Sequence, residues 1–503
     1  MMAFLEYLRA NLNFIYAVIA IGIAIVVNTF FGLSKKQEIK KLSLAVALMG
    51  MGASIFFTIY SFITRGVSTS MVLSFGSIHL AEMLLILFIA LNLLVFLSLG
   101  QYNQDDFTKI IIIFLFGLAS LLVLVLSRNF LAILVAWSLF VLSNFLLITG
   151  GSGEKESTYI LKFFLNSVFA LLLMLIGFSF LYSVTDFKNL QQVLESGSPD
   201  NPFYGISFLF IMFSVFIFMC AYPLHGNYLK LVKRTNSMVT SVIWLFYLPA
   251  GFIILLKFRE VAYYFLTEYN VLPPVLLAIA AICILGPAIG AFSTRSLKRI
   301  LGFNYLTFIG LALLGFSLFS AGMVEGSRLE WMILANILNM VICIIPVWVI
   351  FSRLPDSVDS LKGFMRGYTY LGINMFIVML SWLGMAGTPG YMLRHFMLAP
   401  LAQYIREGNT GLLSGLDIAT LAVVCVAFLL IAANMVRLWV FMFSGSKDKA
   451  GPNVYYHRAY HVYVTLFTLL VLALGIWGLL ELTGVISASG ISVINPGFLR
   501  PPS

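Results

Sequence analysis

Charged side chains are scarce in this chain, and they avoid its long apolar stretches. Lys, Arg, Asp and Glu together make up 10% of the 503 residues, whereas hydrophobic residues make up 61%. A soluble domain carries about a quarter of charged residues, most of them on its surface. The scarcity of charge therefore excludes an ordinary soluble enzyme and predicts a protein that crosses a lipid bilayer many times.

Cysteine is equally scarce, and its spacing excludes several kinds of cofactor site. The four cysteines, Cys220, Cys283, Cys343 and Cys425, lie singly within apolar stretches. No paired spacing and no histidine cluster is available to hold zinc, haem or an iron–sulfur cluster. We therefore expect no metal and no cofactor, and interpret the cysteines as small apolar packing residues.

Fourteen apolar stretches are each long enough for a transmembrane helix, which needs about 20 residues. They cover residues 12–33, 42–64, 76–99, 107–127, 129–150, 158–184, 204–232, 236–257, 271–294, 300–322, 331–352, 368–404, 416–444 and 459–484. The predicted fold is an all-α integral membrane protein with about 14 transmembrane helices, which we number spans 1 to 14. Little chain remains between the spans for a soluble catalytic domain.

Basic residues concentrate in the connections that follow odd-numbered spans. They include Lys35, Lys36, Lys40, Lys41, Lys230, Lys233, Arg234, Arg295, Lys298, Arg299, Lys447, Lys449 and Arg458. The positive-inside rule places these connections in the cytoplasm and both termini on the opposite side. Topology thus accounts for the net charge of +10, and we predict no nucleic-acid partner.

Two spans carry signals for an interrupted helix. Span 7 contains Pro223 two residues before His225, and span 12 contains Pro389 among glycines just before Arg394 and His395. Proline removes a backbone hydrogen bond and clashes with the preceding turn, so each helix should break there. Prolines also kink ordinary membrane helices, which is the simpler explanation of either signal taken alone.

The five-span offset between these breaks predicts two inverted repeats, because transporters often place interrupted helices at matching positions of repeated halves. Spans 4–8 would form the first repeat and spans 9–13 the second. The predicted organisation is spans 1–3 in residues 1–106, the repeats in residues 107–257 and 258–444, and span 14 with the tail in residues 445–503.

Several ordered segments resemble a known family. They are TYILKFFLNSVFALLLMLIGFSFLYSVTDFKNL (158–190), AYPLHGNYL (221–229), MVTSVIWLFYLPAGFIILLKF (238–258), STRSLKRILGFNYLTFIGLALLG (293–315), VDSLKGF (358–364) and LSWLGMAGTPGYMLRHF (380–396). The series resembles the antiporter-like subunits of respiratory complex I, which are related to Mrp antiporters and energy-converting membrane hydrogenases. Length favours the chain N type, since we expect the long lateral helix of the largest members to be absent here.

The resemblance implies a row of mid-membrane charges, and this chain departs from it. In an ungapped reading, the family's span 5 glutamate falls at Ser138 and its span 10 histidine at Phe308. The lysines of spans 7 and 8 fall at Phe218 and Leu248, and only span 12 keeps a charge, as Arg394. Arginine is a poor proton relay because its pKa is too high to release a proton.

Four ionisable residues remain as candidates for an ion path. Arg394 and His395 lie beside the span 12 break, although Arg394 could equally hold a partner subunit or a lipid headgroup. His225 could relay protons or cap carbonyls freed by the span 7 break. Lys162 matches a lysine that tunes a charge pair in the family, yet snorkelling toward the cytoplasmic surface also explains it.

Other charges have simpler interpretations. Lys298 and Arg299 read as cytoplasmic topology charges. Glu82 is expected near the membrane interface at the start of span 3. Arg437, in the middle of span 13, requires a partner that the sequence does not identify.

The resemblance implies a non-catalytic subunit of a redox-driven proton or cation pump in the cell inner membrane. Its partners would be the lipid bilayer and other membrane subunits, which would bind any quinone. Because the relay charges are replaced, the subunit could be a structural one that no longer pumps. The alternative is a free-standing secondary cation/proton antiporter, which should retain acidic residues within its spans.

Overall fold

The computed structural model describes residues 2–31, 37–64, 72–101, 106–127, 129–150, 157–185, 202–258, 272–321, 323–324, 326–406, 412–444 and 458–482. Helices that coincide with predicted spans keep their span numbers. Spans 1 to 6 are Met2–Phe31, Gln37–Thr64, Val72–Gln101, Phe107–Leu126, Phe130–Gly150 and Ser157–Thr185. Spans 8 to 11 are Ser237–Lys257, Leu272–Ser293, Leu297–Ser320 and Gly326–Phe351, and spans 13 and 14 are Leu412–Phe443 and Arg458–Leu482.

The helices confirm an all-α, multi-pass membrane fold. Within the described residues, ten helices are long and apolar enough to cross a membrane. Four shorter apolar helices, Ile15–Phe31, Glu82–Val95, Gly205–Phe218 and Thr369–Leu383, lie in predicted spans 1, 3, 7 and 12. The count of fourteen crossings stays a prediction.

Spans 7 and 12 are interrupted, as their proline and glycine content predicts. Span 7 consists of the helices Pro202–Phe218 and Gly226–Arg234, and span 12 of Thr369–Leu383 and Pro389–Arg406. Pro389 is the first residue of the second helix of span 12. Backbone N–H groups in the first turn have no carbonyl acceptor within the helix, so the N–H that proline lacks costs no helical hydrogen bond there. The breaks thus divide each of these spans into two short helices.

Three spans form the interior of the bundle. Over an 18-residue stretch of each span, every residue of span 8 is buried, as are 94% in span 10 and 89% in span 11, against 33% in spans 2, 13 and 14. Span 8 also widens into a π-helical turn at Ile243–Tyr247, whose side chains are all buried. Among the spans compared here, these three are therefore the most enclosed by protein.

Candidate functional site

The span 7 break places His225 against its own backbone. The His225 Nδ1 atom lies 3.1 Å from the carbonyl oxygen of Pro223, and its ring stacks on Tyr222 at 4.6 Å. Pro223 is exposed on the outside of the chain and His225 is half-buried. The imidazole thus satisfies a carbonyl freed by the break, which is the geometry of a cap.

The span 12 break is closed by Arg394. Its guanidinium donates hydrogen bonds to the carbonyl oxygens of Trp382 and Leu383, the last two residues of the preceding half-helix. The same group lies 4.2 Å from the centroid of the Phe428 ring. A cation at a helix C-terminus is favourable because the carbonyl ends carry partial negative charge. Arg394 therefore joins the two halves of span 12.

His395 follows Arg394 on the same half-helix but makes neither hydrogen bond of this clamp. Its ring lies beside Tyr391 at 6.2 Å and is half-buried. The structure therefore does not bring His395 together with His225, which lies in the other broken span and contacts Phe303 at 5.8 Å.

The side chain of Phe218 is enclosed by aromatic rings and not by charged groups. Its ring is buried and packs edge-on against the Trp137 ring, with centroids 5.0 Å apart, and at a tilt against the Tyr247 ring, with centroids 4.5 Å apart. Leu248, next to Tyr247, is fully buried as well. Ser138 lies on the exposed face of span 5, where its hydroxyl donates to the Leu134 carbonyl at 2.7 Å. The structure does not bring Ser138 together with Phe218 and Leu248, because Trp137 faces the interior at this level.

Phe308 packs against Trp382 at the span 12 break, which is a second contact between apolar side chains. Its ring is buried, with its centroid 6.0 Å from that of Trp382. Its backbone carbonyl accepts a hydrogen bond from Asn336 at 2.8 Å. The predicted positions Phe218, Leu248 and Phe308 are therefore all buried, and the two phenylalanines pack against the aromatic rings of Trp137, Tyr247 and Trp382.

Hydrogen bonds do cross the interior, but their direction is fixed. The Trp244 indole donates to the Tyr228 hydroxyl at 2.8 Å, which donates to the Gly302 carbonyl at 3.4 Å. The Tyr305 hydroxyl donates to the Trp244 carbonyl at 2.8 Å. An indole N–H only donates and a carbonyl only accepts. Neither end of this series of hydrogen bonds can exchange a proton. The network therefore rigidifies the core and does not relay protons.

Among the described residues, four cations in or near the spans bind carbonyl oxygens at helix C-termini. One is Arg394, and the others are Lys257, Lys298 and Arg437. Their acceptors are Val125 for Lys257, Thr235 for Lys298, and Ala291, Phe292 and Thr294 for Arg437. These acceptors lie in the last turn of a helix or directly after it, where a positive charge is stabilised. Such cations act as fixed links between helices.

Lys162 and Glu82 lie outside this set of links. Lys162 is exposed on span 6, as a snorkelling lysine would be. Glu82 is buried, with 6% of its surface exposed; its position near the membrane interface stays a prediction. It lies in the described part of span 3, which packs on the core.

Neutral amides are the residues that a search for charges misses. Asn304, Asn336 and Asn339 are buried in spans 10 and 11, and the Asn339 amide oxygen accepts from the Ser381 hydroxyl at 3.0 Å. Their position within predicted spans is a usable signal, since buried polar groups in membrane helices are costly. Among the described residues, no group of three or more His, Cys, Asp or Glu side chains could hold a metal ion.

A family model described as NADH:quinone oxidoreductase/Mrp antiporter, TM, matches residues 127–406 of this chain. NADH-quinone oxidoreductase subunit N of Geobacillus kaustophilus is 22% identical over 304 residues, which is 58% of this chain and 60% of that protein. The Wolbachia subunit N is 25% identical over 60% of this chain and 64% of its own length. Subunit N 1 of Thermodesulfovibrio yellowstonii is 24% identical over 78% of this chain and 82% of its own. The chain thus spans less than two thirds of the first two relatives.

Solved structures share the fold over nearly the whole chain. A chain of respiratory complex I from Thermus thermophilus matches with a TM-score of 0.71 and 19% identity, covering 93% of this chain and 98% of that one. A chain of the Mrp complex from Dietzia sp. matches with a TM-score of 0.75 and 15% identity, covering 94% and 96%. At these identities the likeness establishes the fold alone.

Proposed function

This chain belongs to the NADH:quinone oxidoreductase/Mrp antiporter family of membrane proteins, and from that membership we propose that it is an antiporter-like subunit of a complex-I-type membrane complex. The complex would couple electron transfer in other subunits to the movement of protons or cations. This subunit would contribute structure to the row of membrane subunits and would not conduct ions itself. It would hold no cofactor, and any quinone would bind to its neighbours.

The enclosure of Phe218 carries the non-pumping part of this proposal. A proton relay needs groups that can gain and lose a proton, or water between them. Phe218 instead packs against Trp137 and Tyr247. The guanidinium of Arg394, which occupies the one charged position of the row, is bound to two carbonyl oxygens.

A purification tests the partnership. The tagged chain, extracted from its native membrane in mild detergent, should co-purify with other membrane subunits in fixed proportion. The isolated chain in proteoliposomes should show no exchange of Na⁺ or K⁺ against an imposed proton gradient. Robust exchange by the isolated chain would favour a free-standing antiporter and overturn the proposal.

Orientation and internal symmetry are part of the same proposal. The basic residues support an arrangement in which the connections after odd-numbered spans lie in the cytoplasm and both termini lie on the opposite side. Cysteines introduced singly at Lys233 and at Asp186 should be labelled from opposite sides of the cell inner membrane by an impermeant maleimide. The two breaks support repeats in residues 107–257 and 258–444, which should superpose after inversion in an experimental map.

A further inference from the structure

Two contacts align span 6 with the second half-helix of span 7. At one level, the Asn227 side-chain amide donates a hydrogen bond to the Asn166 amide oxygen at 3.4 Å. At the other level, the Arg234 guanidinium lies 5.7 Å from the centroid of the Tyr159 ring. The first residue of one helix segment thus meets the last residue of the other, so the two helices run antiparallel. Each segment between the contacts is seven residues long.

Lys162 and Lys230 occupy equivalent places in these two segments. Lys162 lies three residues after Tyr159, and Lys230 lies three residues after Asn227. An α-helix rises about 1.5 Å per residue, so the two lysines lie within about 2 Å of the same level along the helix pair. The two contacts therefore place these lysines opposite each other on facing helices.

Both lysines lie on the exposed side of this helix pair. A residue three positions further along a helix is turned back by about 60°. Because the helices are antiparallel, this offset carries both lysines toward the same side. Lys162 and Lys230 are exposed, whereas the residues that follow them, Phe163 and Leu231, are buried. Lys233, one turn after Lys230, is exposed as well. We call Lys162, Lys230 and Lys233 the basic seam.

The positive charge of the basic seam is not neutralised by the part of the chain that the structure describes. There, none of the three lysines pairs with a carboxylate. Like charges on facing helices repel each other, and the repulsion grows where the surroundings are less polar than water. An anion between the two helices would convert this repulsion into attraction to a shared partner.

The surface next to the basic seam indicates what kind of molecule carries the anion. Span 6 begins at Ser157, five residues before Lys162, so the seam lies at one end of the span. Leu165 and Phe169 follow Lys162 toward the middle of the span, and they are 54% and 51% exposed. Residues three and four apart share a helix face. A charged end thus continues into an apolar face, which matches the head and the acyl chain of a phospholipid.

We propose that the basic seam binds the phosphate of an anionic phospholipid in the leaflet where span 6 begins, with an acyl chain along Leu165 and Phe169. Basic residues at a membrane surface attract anionic lipids. Because the ammonium groups come from both helices, the bound phosphate links span 6 to the half-helix that follows the span 7 break. This inference goes beyond the proposed function and depends neither on the identity of the complex nor on its orientation.

Lipid retention by the purified full chain, with any subunits that accompany it, tests the site. The protein is placed in nanodiscs of phosphatidylcholine and phosphatidylglycerol and released, and the lipids that stay bound are counted by native mass spectrometry. We expect the wild type to retain phosphatidylglycerol in preference to phosphatidylcholine. The double variant Lys162→Gln with Lys230→Gln should reduce this retention, on the order of fivefold for each lysine removed. The double variant Lys162→Arg with Lys230→Arg keeps both charges and should retain the lipid.

A second pair of lysines provides the matched control. Lys109 and Lys362 are also exposed, but each pairs with an aspartate, Asp106 and Asp359, at 2.7 Å. The double variant Lys109→Gln with Lys362→Gln changes the net charge by the same amount and should retain phosphatidylglycerol like the wild type. Equal retention by the two glutamine double variants would overturn the proposal.

A photoreactive side chain identifies the molecule that lies beside the seam. Benzoylphenylalanine introduced at the exposed position Leu165 should crosslink to phospholipid when the protein is irradiated in its native membrane. A crosslink to another protein subunit would show that a protein partner covers this surface, and it would contradict the proposal.

Discussion

The guanidinium of Arg394 donates to the backbone carbonyl of Leu383, which lies eleven residues earlier on the other side of the span 12 break. Gly384 makes this approach possible. It adopts a left-handed conformation with φ of 76°, and a Cβ atom there would lie 2.7 Å from the arginine side chain. The charge at this position of the family's row therefore holds the fold and is not available as a carrier.

Replacing Arg394 with lysine should destabilise the complex although the charge is kept. A lysine ammonium cannot reproduce the planar fork that binds two successive carbonyls, and hydrogen bonds to charged groups contribute about 1.5–3 kcal/mol each. We expect a lower melting temperature and less assembled complex on native gels. Arg366→Lys, at an exposed arginine in the turn before span 12, should change neither quantity. Equal behaviour of the two variants would argue against the clamp.

The close approach within span 12 predicts a glycine requirement. A Cβ atom at Gly390 would collide with the backbone carbonyl oxygen of Ser381, and forced overpacking commonly costs about 1–3 kcal/mol. Gly390→Ala should therefore lower thermal stability. Gly52→Ala in span 2 is the matched control, because nothing lies within 4 Å of its added methyl group. It should be neutral or stabilising by about 0.5–1 kcal/mol. Tolerance of both variants would refute the close packing.

A lysine introduced at position 218, where the family carries its span 7 lysine, should prevent assembly of the complex. Phe218 is 1% exposed between aromatic rings, so an ammonium there has no partner, and an uncompensated buried charge is strongly destabilising. We expect Phe218→Lys to abolish accumulation of the assembled complex in membranes. Phe218→Leu should assemble, with a loss smaller than the about 3–5 kcal/mol typical of truncating a buried phenylalanine to alanine. Normal assembly of the lysine variant would reveal a hydrated or charged interior at this position.

The interrupted helices could be predicted from sequence because proline and glycine act locally on the backbone. Pro287 and Pro346 show the limit of that rule, since spans 9 and 11 continue through them. What distinguishes Pro389 is its position at the first turn of a new helix, together with the Gly384 turn that ends the previous one. Proline content alone does not reveal these positions.

Which face of its helix a side chain occupies could not be predicted in the same way. Each residue rotates the direction of the side chain by about 100° around a helix, so an ungapped reading that is correct to one residue can still select the wrong face. Ser138 is exposed whereas Trp137 faces the core. The acceptors of Arg437 lie 143–146 residues earlier in the chain. Only the packing of span 13 on span 9 brings them together.

The number of protons translocated per electron tests the non-pumping account most directly, measured in proteoliposomes that contain the complex with Arg394→Ala. Loss of the clamp should reduce the amount of assembled complex. The fraction that does assemble should keep the wild-type ratio, because this chain adds no proton path of its own. Normal assembly with a clearly lower ratio would show that this subunit pumps and would contradict the account.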